Sequence, residues 1–187
     1  LLLSSRDHLF DSSRRRANGL ALDGVGMGSY QTTVSLTFSK LFFWDYAHPL
    51  NSRFYLGYTI PTTVHVGGLN VYGGGFGTRG KVHPGNNLSA DLGLEWSLTQ
   101  PWVLALDIVY SYTNRSKFVG KPGRTATGTR ASVGLGSSDN LSLAPAIEYN
   151  WNENLGVIAG AWFSVYGRNS NQFAAGMFSM TWTFQPR

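Results

Sequence analysis

The chain has 187 residues, enough for one domain with a substantial core. Charged residues make up 13%, about half the ~25% of an average globular protein, while aromatic residues reach 14% and glycine occurs 23 times. There is no cysteine, which excludes disulfide scaffolds, thiolate metal sites and cysteine nucleophiles, and the net charge is +5.

Residues 1–28 form the least regular part, an irregular N-terminal segment or weak strand. Within it Asp7–Asn18 reads as a polar loop containing Arg14, Arg15 and Arg16, and Gly19–Gly28 as a glycine-weakened strand. Leu1–Leu3 is too short for the apolar core of a signal peptide, so the sequence is either a mature chain or a piece of a longer one. From residue 29 to 187 strand patterns dominate. Ser29–Trp44 places Tyr30, Val34, Leu36, Phe38, Phe42 and Trp44 on one face and Thr33, Ser35, Thr37 and Ser39 on the other. A turn at Asp45–Ser52 leads to Arg53–Ile60, with Phe54, Leu56, Tyr58 and Ile60 on the apolar face.

Pro61–Asn87 is long and glycine-rich, the pattern of a functional or mobile loop, with enough strand character in Val64–Tyr72 for a short hairpin. Leu88–Leu98 and Trp102–Asn114 form a hairpin around Thr99-Gln100-Pro101. Residues 115–139 make a second long loop. Asn140–Asn152, Leu155–Arg168 and Asn171–Phe184 are the last strands. In the first of these Leu141, Leu143, Pro145, Ile147, Tyr149 and Trp151 oppose Ser142, Ala144, Ala146, Glu148 and Asn150.

Two features point to a sheet with lipid on one face. Several runs match or exceed the ~9–11 residues of a tilted bilayer-crossing strand and carry aromatics at their ends. The turns at 99–101 and 153–154 are short whereas the connections at 61–87 and 115–139 are long, the two-sided rule of outer-membrane barrels. A mean hydropathy of −0.12 and the absence of any ~20-residue apolar run exclude a helical membrane protein. A barrel fits, because every second residue faces a polar lumen. The expected fold is all-β, an antiparallel transmembrane β-barrel. Seven strands are clear; bacterial barrels have even numbers, so residues 17–28 supply an eighth or the chain is the C-terminal part of a larger barrel. A soluble β-sandwich is the rival fold.

The stretches LGLEWSLTQPWVLALDIVY (Leu92–Tyr110) and LAPAIEYNWNENLGVIAGAWFSVYGRN (Leu143–Asn169), with the terminal TWTF, resemble the outer-membrane barrel family named after meta-pathway phenol degradation. YTIPT at Tyr58–Thr62 and Asp23–Gly28 resemble earlier parts of its pattern. The resemblance implies a transporter of small, often hydrophobic or aromatic molecules, with more strands upstream and no catalytic residue. Phe178, Met180, Trp182 and Phe184 alternate as in a terminal strand read by the barrel-assembly machinery, although Gln185-Pro186-Arg187 follows.

Lumen candidates follow from parity. Asp91, Glu95, Asp107 and Glu148 lie on the polar face, with Arg53, Arg130 or Arg168 opposite, and Asp91 and Asp107 sit on neighbouring strands of one hairpin, where a register that faced them would raise one pKa. Trp162, Tyr166 and Arg168 share the polar parity of their strand and line a path for aromatic solutes or fill a closed barrel. Membrane-interface aromatics are Trp44, Trp96, Trp102, Tyr110, Tyr112, Tyr149, Trp151, Trp182 and Phe184. His8, His48, His65 and His83 all fall in loops or turns without a nucleophile and orienting partner, so no catalytic site, metal or cofactor is expected. Cations scattered through loops and strand ends argue against nucleic-acid binding. The expected partners are outer-membrane lipid, a small-molecule substrate and the assembly machinery. The expected function is passive uptake; the alternatives are an adhesive barrel binding through its loops and a lipid-modifying enzyme.

Overall fold

Side-chain alternation with period two organises more than half of the described residues into antiparallel strands. The computed structural model describes residues 28–44 and 47–184. The N-terminal loop, the weak strand expected over 19–28 except Gly28 itself, the head of the 45–52 turn and the last three residues lie outside that range. No helix occurs among the described residues, and none is therefore long and apolar enough to cross a membrane. The ten strands are β1 (Gln31–Phe42), β2 (Leu50–Pro61), β3 (Val64–Gly67), β4 (Arg79–His83), β5 (Asn87–Ser97), β6 (Trp102–Thr113), β7 (Lys117–Lys121), β8 (Ser138–Asn152), β9 (Leu155–Arg168) and β10 (Ala174–Trp182).

A seven-stranded sheet runs in the order β1-β2-β5-β6-β8-β9-β10, so all seven strands expected from alternation occupy it in chain order. β1 and β10 are its edges, and among the described residues no pairing between them closes a barrel. β2 starts at Leu50, three residues earlier than the turn pattern implied, because Asn51 bonds across to both neighbouring strands. The β8–β9 hairpin turns through Glu153-Asn154, with Asn154 N donating to Asn152 Oδ1 at 2.9 Å.

The two long connections are not structureless. β3, β4 and β7 form a three-stranded sheet in which β4 is central, flanked by β3 from its own connection and β7 from the other. The hairpin expected near Val64–Tyr72 exists, with its partner strand at Arg79–His83. The described residues divide into two compact units: one holds the three-stranded sheet (28–34, 58–87 and 113–137), the other 35–44, 47–57, 88–112 and 138–184. In the first, Val64, Tyr72 and Val82 are buried and pack with Val66, Phe118 and Val133.

Several polar groups of this unit pair across the two connections, as an enclosed backbone requires, whereas Asn86 Oδ1 is buried without a hydrogen-bond partner among the described residues. Thr78 Oγ1 accepts from Gly75 N at 2.7 Å and donates to Pro122 O at 2.6 Å. Phe76 and Arg124 exchange backbone bonds of 2.7 and 2.9 Å, and Gly134 N donates to Tyr72 O. The mobile-loop expectation for the glycine clusters is corrected at Gly73. Its φ of +94° excludes ordinary side chains, and a Cβ there would meet Ser132 O at 2.7 Å. The glycine admits a close crossing of chains and fixes it.

Burial raises the pKa of the Tyr72 hydroxyl, opposed by a hydrogen bond with Ser29. The neutral phenol is thus favoured on folding, and its stabilisation is full below the ordinary value near 10 and fades as pH rises through the higher folded value. Tyr72→Phe is expected to reduce the alkaline loosening of this unit, and Tyr72→Ala to cost about 3–5 kcal/mol, as for other buried aromatics. Amide exchange in β4 and β7 reads both effects, with protection of the β8–β9 pairing retained.

Candidate functional site

The polar face of the seven-stranded sheet gathers most of the side chains expected on it. Arg53 stands on β2, Asp91 and Glu95 on β5, Asp107 on β6 and Glu148 on β8, which follow one another across the sheet. Arg53 Nη2 lies 4.0 Å from Asp107 Oδ1 although β5 intervenes. Gly93 on β5 permits the crossing: it is buried, and a Cβ on it would meet Asp107 Oδ1 at 2.8 Å and Arg53 Nη2 at 3.4 Å. Both charged side chains are about half exposed, so water screens their attraction. Asp91 and Glu95 are the other charges acting on Asp107.

Hydrogen bonds extend the polar face. Asn51 Nδ2 donates to Glu95 Oε2 at 3.0 Å, and Ser39 Oγ donates to Asn51 Oδ1 at 3.4 Å, linking β1, β2 and β5. Thr33 and Thr59 hydroxyls meet at 2.8 Å. On β8, Asn150 Nδ2 donates to Glu148 Oε1 at 2.9 Å, beside a depression lined in part by Gly156, Ile158 and Thr181. Trp162 Nε1 donates to Ser142 Oγ at 3.0 Å, and its ring meets Phe173 edge-on at 5.0 Å. Ser142 is almost fully buried, so this bond satisfies a hydroxyl that would otherwise be costly.

Two expected lumen residues sit elsewhere. Ser142 pairs with Ser164 and Leu141 with Tyr166, so β9 carries one extra residue, Val165, at this point. Such a bulge shifts side-chain parity by one. Tyr166 and Arg168 therefore leave the face of Trp162 and join that of Leu141 and Asp139. Arg168 Nε lies 3.3 Å from Asp139 Oδ1 there, near the end of the strands. Arg130 belongs to the other unit, where it bridges to Arg124.

The opposite face is apolar and exposed. Register aligns Ile147, Ala159 and Phe178 across β8, β9 and β10, and in the next row Tyr149, Val157 and Met180. Phe178 is 74% exposed, Met180 60% and Trp182 61%. A shallow apolar depression on this face is lined by Leu94, Trp96, Leu104, Leu106 and Pro145 among others.

Most of the expected interface aromatics collect where the short turns are. Trp102 and Tyr149 rings lie 4.6 Å apart, Tyr149 and Trp151 5.1 Å, Trp182 and Phe184 4.5 Å. Trp96 lies 6.5 Å from His48, and Trp44 follows the end of β1, itself exposed. Tyr110 and Tyr112 stand at the other end of β6, half-buried.

Sequence reasoning missed Gly93, Asn51 and Ser142. The first carried a signal, a residue without a side chain between charged positions of one face; the other two depend on neighbours fixed only by pairing. It also missed that cations gather on one sheet: Arg79, Lys81, Lys117 and Lys121 all lie on β4 and β7. Among the described residues no group of three or more His, Asp or Glu is placed to hold a metal ion.

No protein-family model matches the chain, and no curated protein matches it either.

A double-mutant cycle with Arg53→Gln and Asp107→Asn is expected to give a coupling of at most about 1 kcal/mol, the range of water-exposed pairs. Gly93→Leu should abolish that coupling by filling the saddle, read by the same cycle in denaturant titrations. Single cysteines, introduced into a chain that has none, report the bulge. Trp162→Cys should share solvent access with Ser142→Cys, and Tyr166→Cys with Leu141→Cys. Equal behaviour of the 162 and 166 variants would contradict the parity shift.

Proposed function

We infer that the seven-stranded sheet is wall of a transmembrane β-barrel in a bacterial outer membrane, and that the protein passes small molecules by passive diffusion. The uncovered apolar face carries this reading. Large side chains such as Phe38 (62% exposed) and Phe178 (74%) each forgo roughly 1.5–3 kcal/mol by remaining in water, which lipid would restore. Soluble monomers rarely expose contiguous apolar patches beyond a few hundred Å². Strands of 12 residues, as in β1, β2 and β6, suffice for a tilted bilayer crossing. Aromatics beside the short turns suit a membrane–water interface.

Spanning hydrocarbon requires every backbone group to be paired. β1 and β10 must therefore pair with each other or with further strands that complete the ring. In a lumen lined by Arg53, Asp91, Glu95, Asp107 and Glu148, carboxylates outnumber cations, so the field disfavours anionic solutes. Trp162 adds an aromatic contact for apolar ones. The resemblance to the meta-pathway phenol-degradation family of barrels points the same way, toward small hydrophobic or aromatic cargo.

Purified protein in a planar bilayer is expected to give discrete conductance with cation preference, which Glu95→Gln/Asp107→Asn lowers. Absence of conductance at any voltage would overturn the channel while leaving the barrel. Phe178→Lys should destabilise folding into lipid by up to about 2–4 kcal/mol, the cost of a cation at the bilayer midplane. Solubility of the protein without detergent would favour a soluble sandwich instead.

A further inference from the structure

The three-stranded sheet presents one face of basic side chains. Along β4, Arg79, Lys81 and His83 alternate with Gly80 and Val82, and Val82 is fully buried while the three basic residues are exposed. Pairing aligns His83 with Lys117, Lys81 with Val119 and Arg79 with Lys121 of β7, and Lys81 with His65 of β3. Residues directly opposed in an antiparallel pair project from the same face. His65, Arg79, Lys81, His83, Lys117 and Lys121 thus share one exposed surface with Val119, and Val64, Val66, Val82 and Phe118 fill the other side as core.

Neighbouring strands lie ~4.8 Å apart and alternate residues of one strand ~6.8 Å apart, so the cations are held within a few ångströms of one another. Like charges directly opposed, as Arg79 and Lys121 are, destabilise a sheet. Segments 28–34, 58–87 and 113–137 contain no Asp or Glu, so the described residues of this unit supply no carboxylate to relieve the repulsion. The repulsion ends when an external anion covers the face.

We propose that this face binds the phosphate headgroups of an anionic lipid surface. The array extends over three strands in two dimensions, as a headgroup layer does. Val119, 75% exposed on the edge strand β7 between Lys117 and Lys121 and opposite Lys81, sets an apolar side chain among the cations, which suits the boundary between headgroup and acyl chain. A single-stranded nucleic acid would call for aromatic rings that stack on bases, and on this face the only rings are the imidazoles of His65 and His83. Each Lys or Arg near an anionic surface strengthens attachment by about 5-fold, so four act together strongly even after screening.

The test uses the full chain in nonionic detergent, titrated with short-chain phosphatidylglycerol or phosphatidylcholine and read by native mass spectrometry. This readout does not depend on whether the sheet spans a bilayer or conducts. At least about 10-fold preference for phosphatidylglycerol is expected, falling with added salt. The variant Arg79→Gln/Lys81→Gln/Lys117→Gln/Lys121→Gln should lose the preference, and it should fold because it removes repulsion. Arg53→Gln/Arg168→Gln, which removes cations of the other sheet, should keep it. Equal binding of the two lipids, or a preference unchanged in the fourfold variant, would overturn the proposal. Tighter binding of a sulfated polysaccharide or a DNA oligonucleotide than of phosphatidylglycerol would also overturn it, assigning the face to a polymer.

Discussion

The apolar face of the seven-stranded sheet stands in the open, and that single constraint orders the rest of the molecule. A sheet with one polar and one apolar face is stable only where the apolar face leaves water, because each large side chain forfeits transfer free energy until it does. Soluble folds meet the demand with a second layer. Here the rows Ile147–Ala159–Phe178 and Tyr149–Val157–Met180 stay accessible across three strands, and the aromatics beside the short turns border them. A lipid environment answers the same demand, and it brings a second one, since β1 and β10 then need partners for their outward backbone groups.

The polar face is built with few charges, and their geometry depends on a missing side chain. Arg53 reaches Asp107 over the backbone of Gly93, so an ion pair spans three strands rather than two. Around it Glu95 is held by Asn51, Glu148 by Asn150 and Trp162 by Ser142. These contacts orient the polar side chains individually.

The two long connections solve a different problem. The first supplies the buried Val64, Tyr72 and Val82, and the second packs Phe118 and Val133 against them. Putting the apolar side of β4 and β7 inward necessarily puts Arg79, Lys81, Lys117 and Lys121 outward, on one face. The same packing that stabilises the unit therefore concentrates its positive charge.

Alternation along β1, β2, β5, β6, β8, β9 and β10 was plain in the sequence, because burial of one face writes a period of two into any strand. That pattern determined the all-β class, the number of long strands, their chain order, and the face on which Asp91, Glu95, Asp107 and Glu148 lie. Tertiary structure decided what period two cannot carry. One inserted residue at Val165 reverses the faces of Tyr166 and Arg168, since register belongs to the pair of strands and not to either one. The pairing of β4 with β7 joins segments more than thirty residues apart, and only their shared core, closed by glycines such as Gly73, makes strands of what reads locally as loop. The clustering of the cations was likewise latent in Arg79-Gly-Lys81-Val-His83 and Lys117-Phe-Val-Gly-Lys121, and became a surface only when the two runs were set side by side.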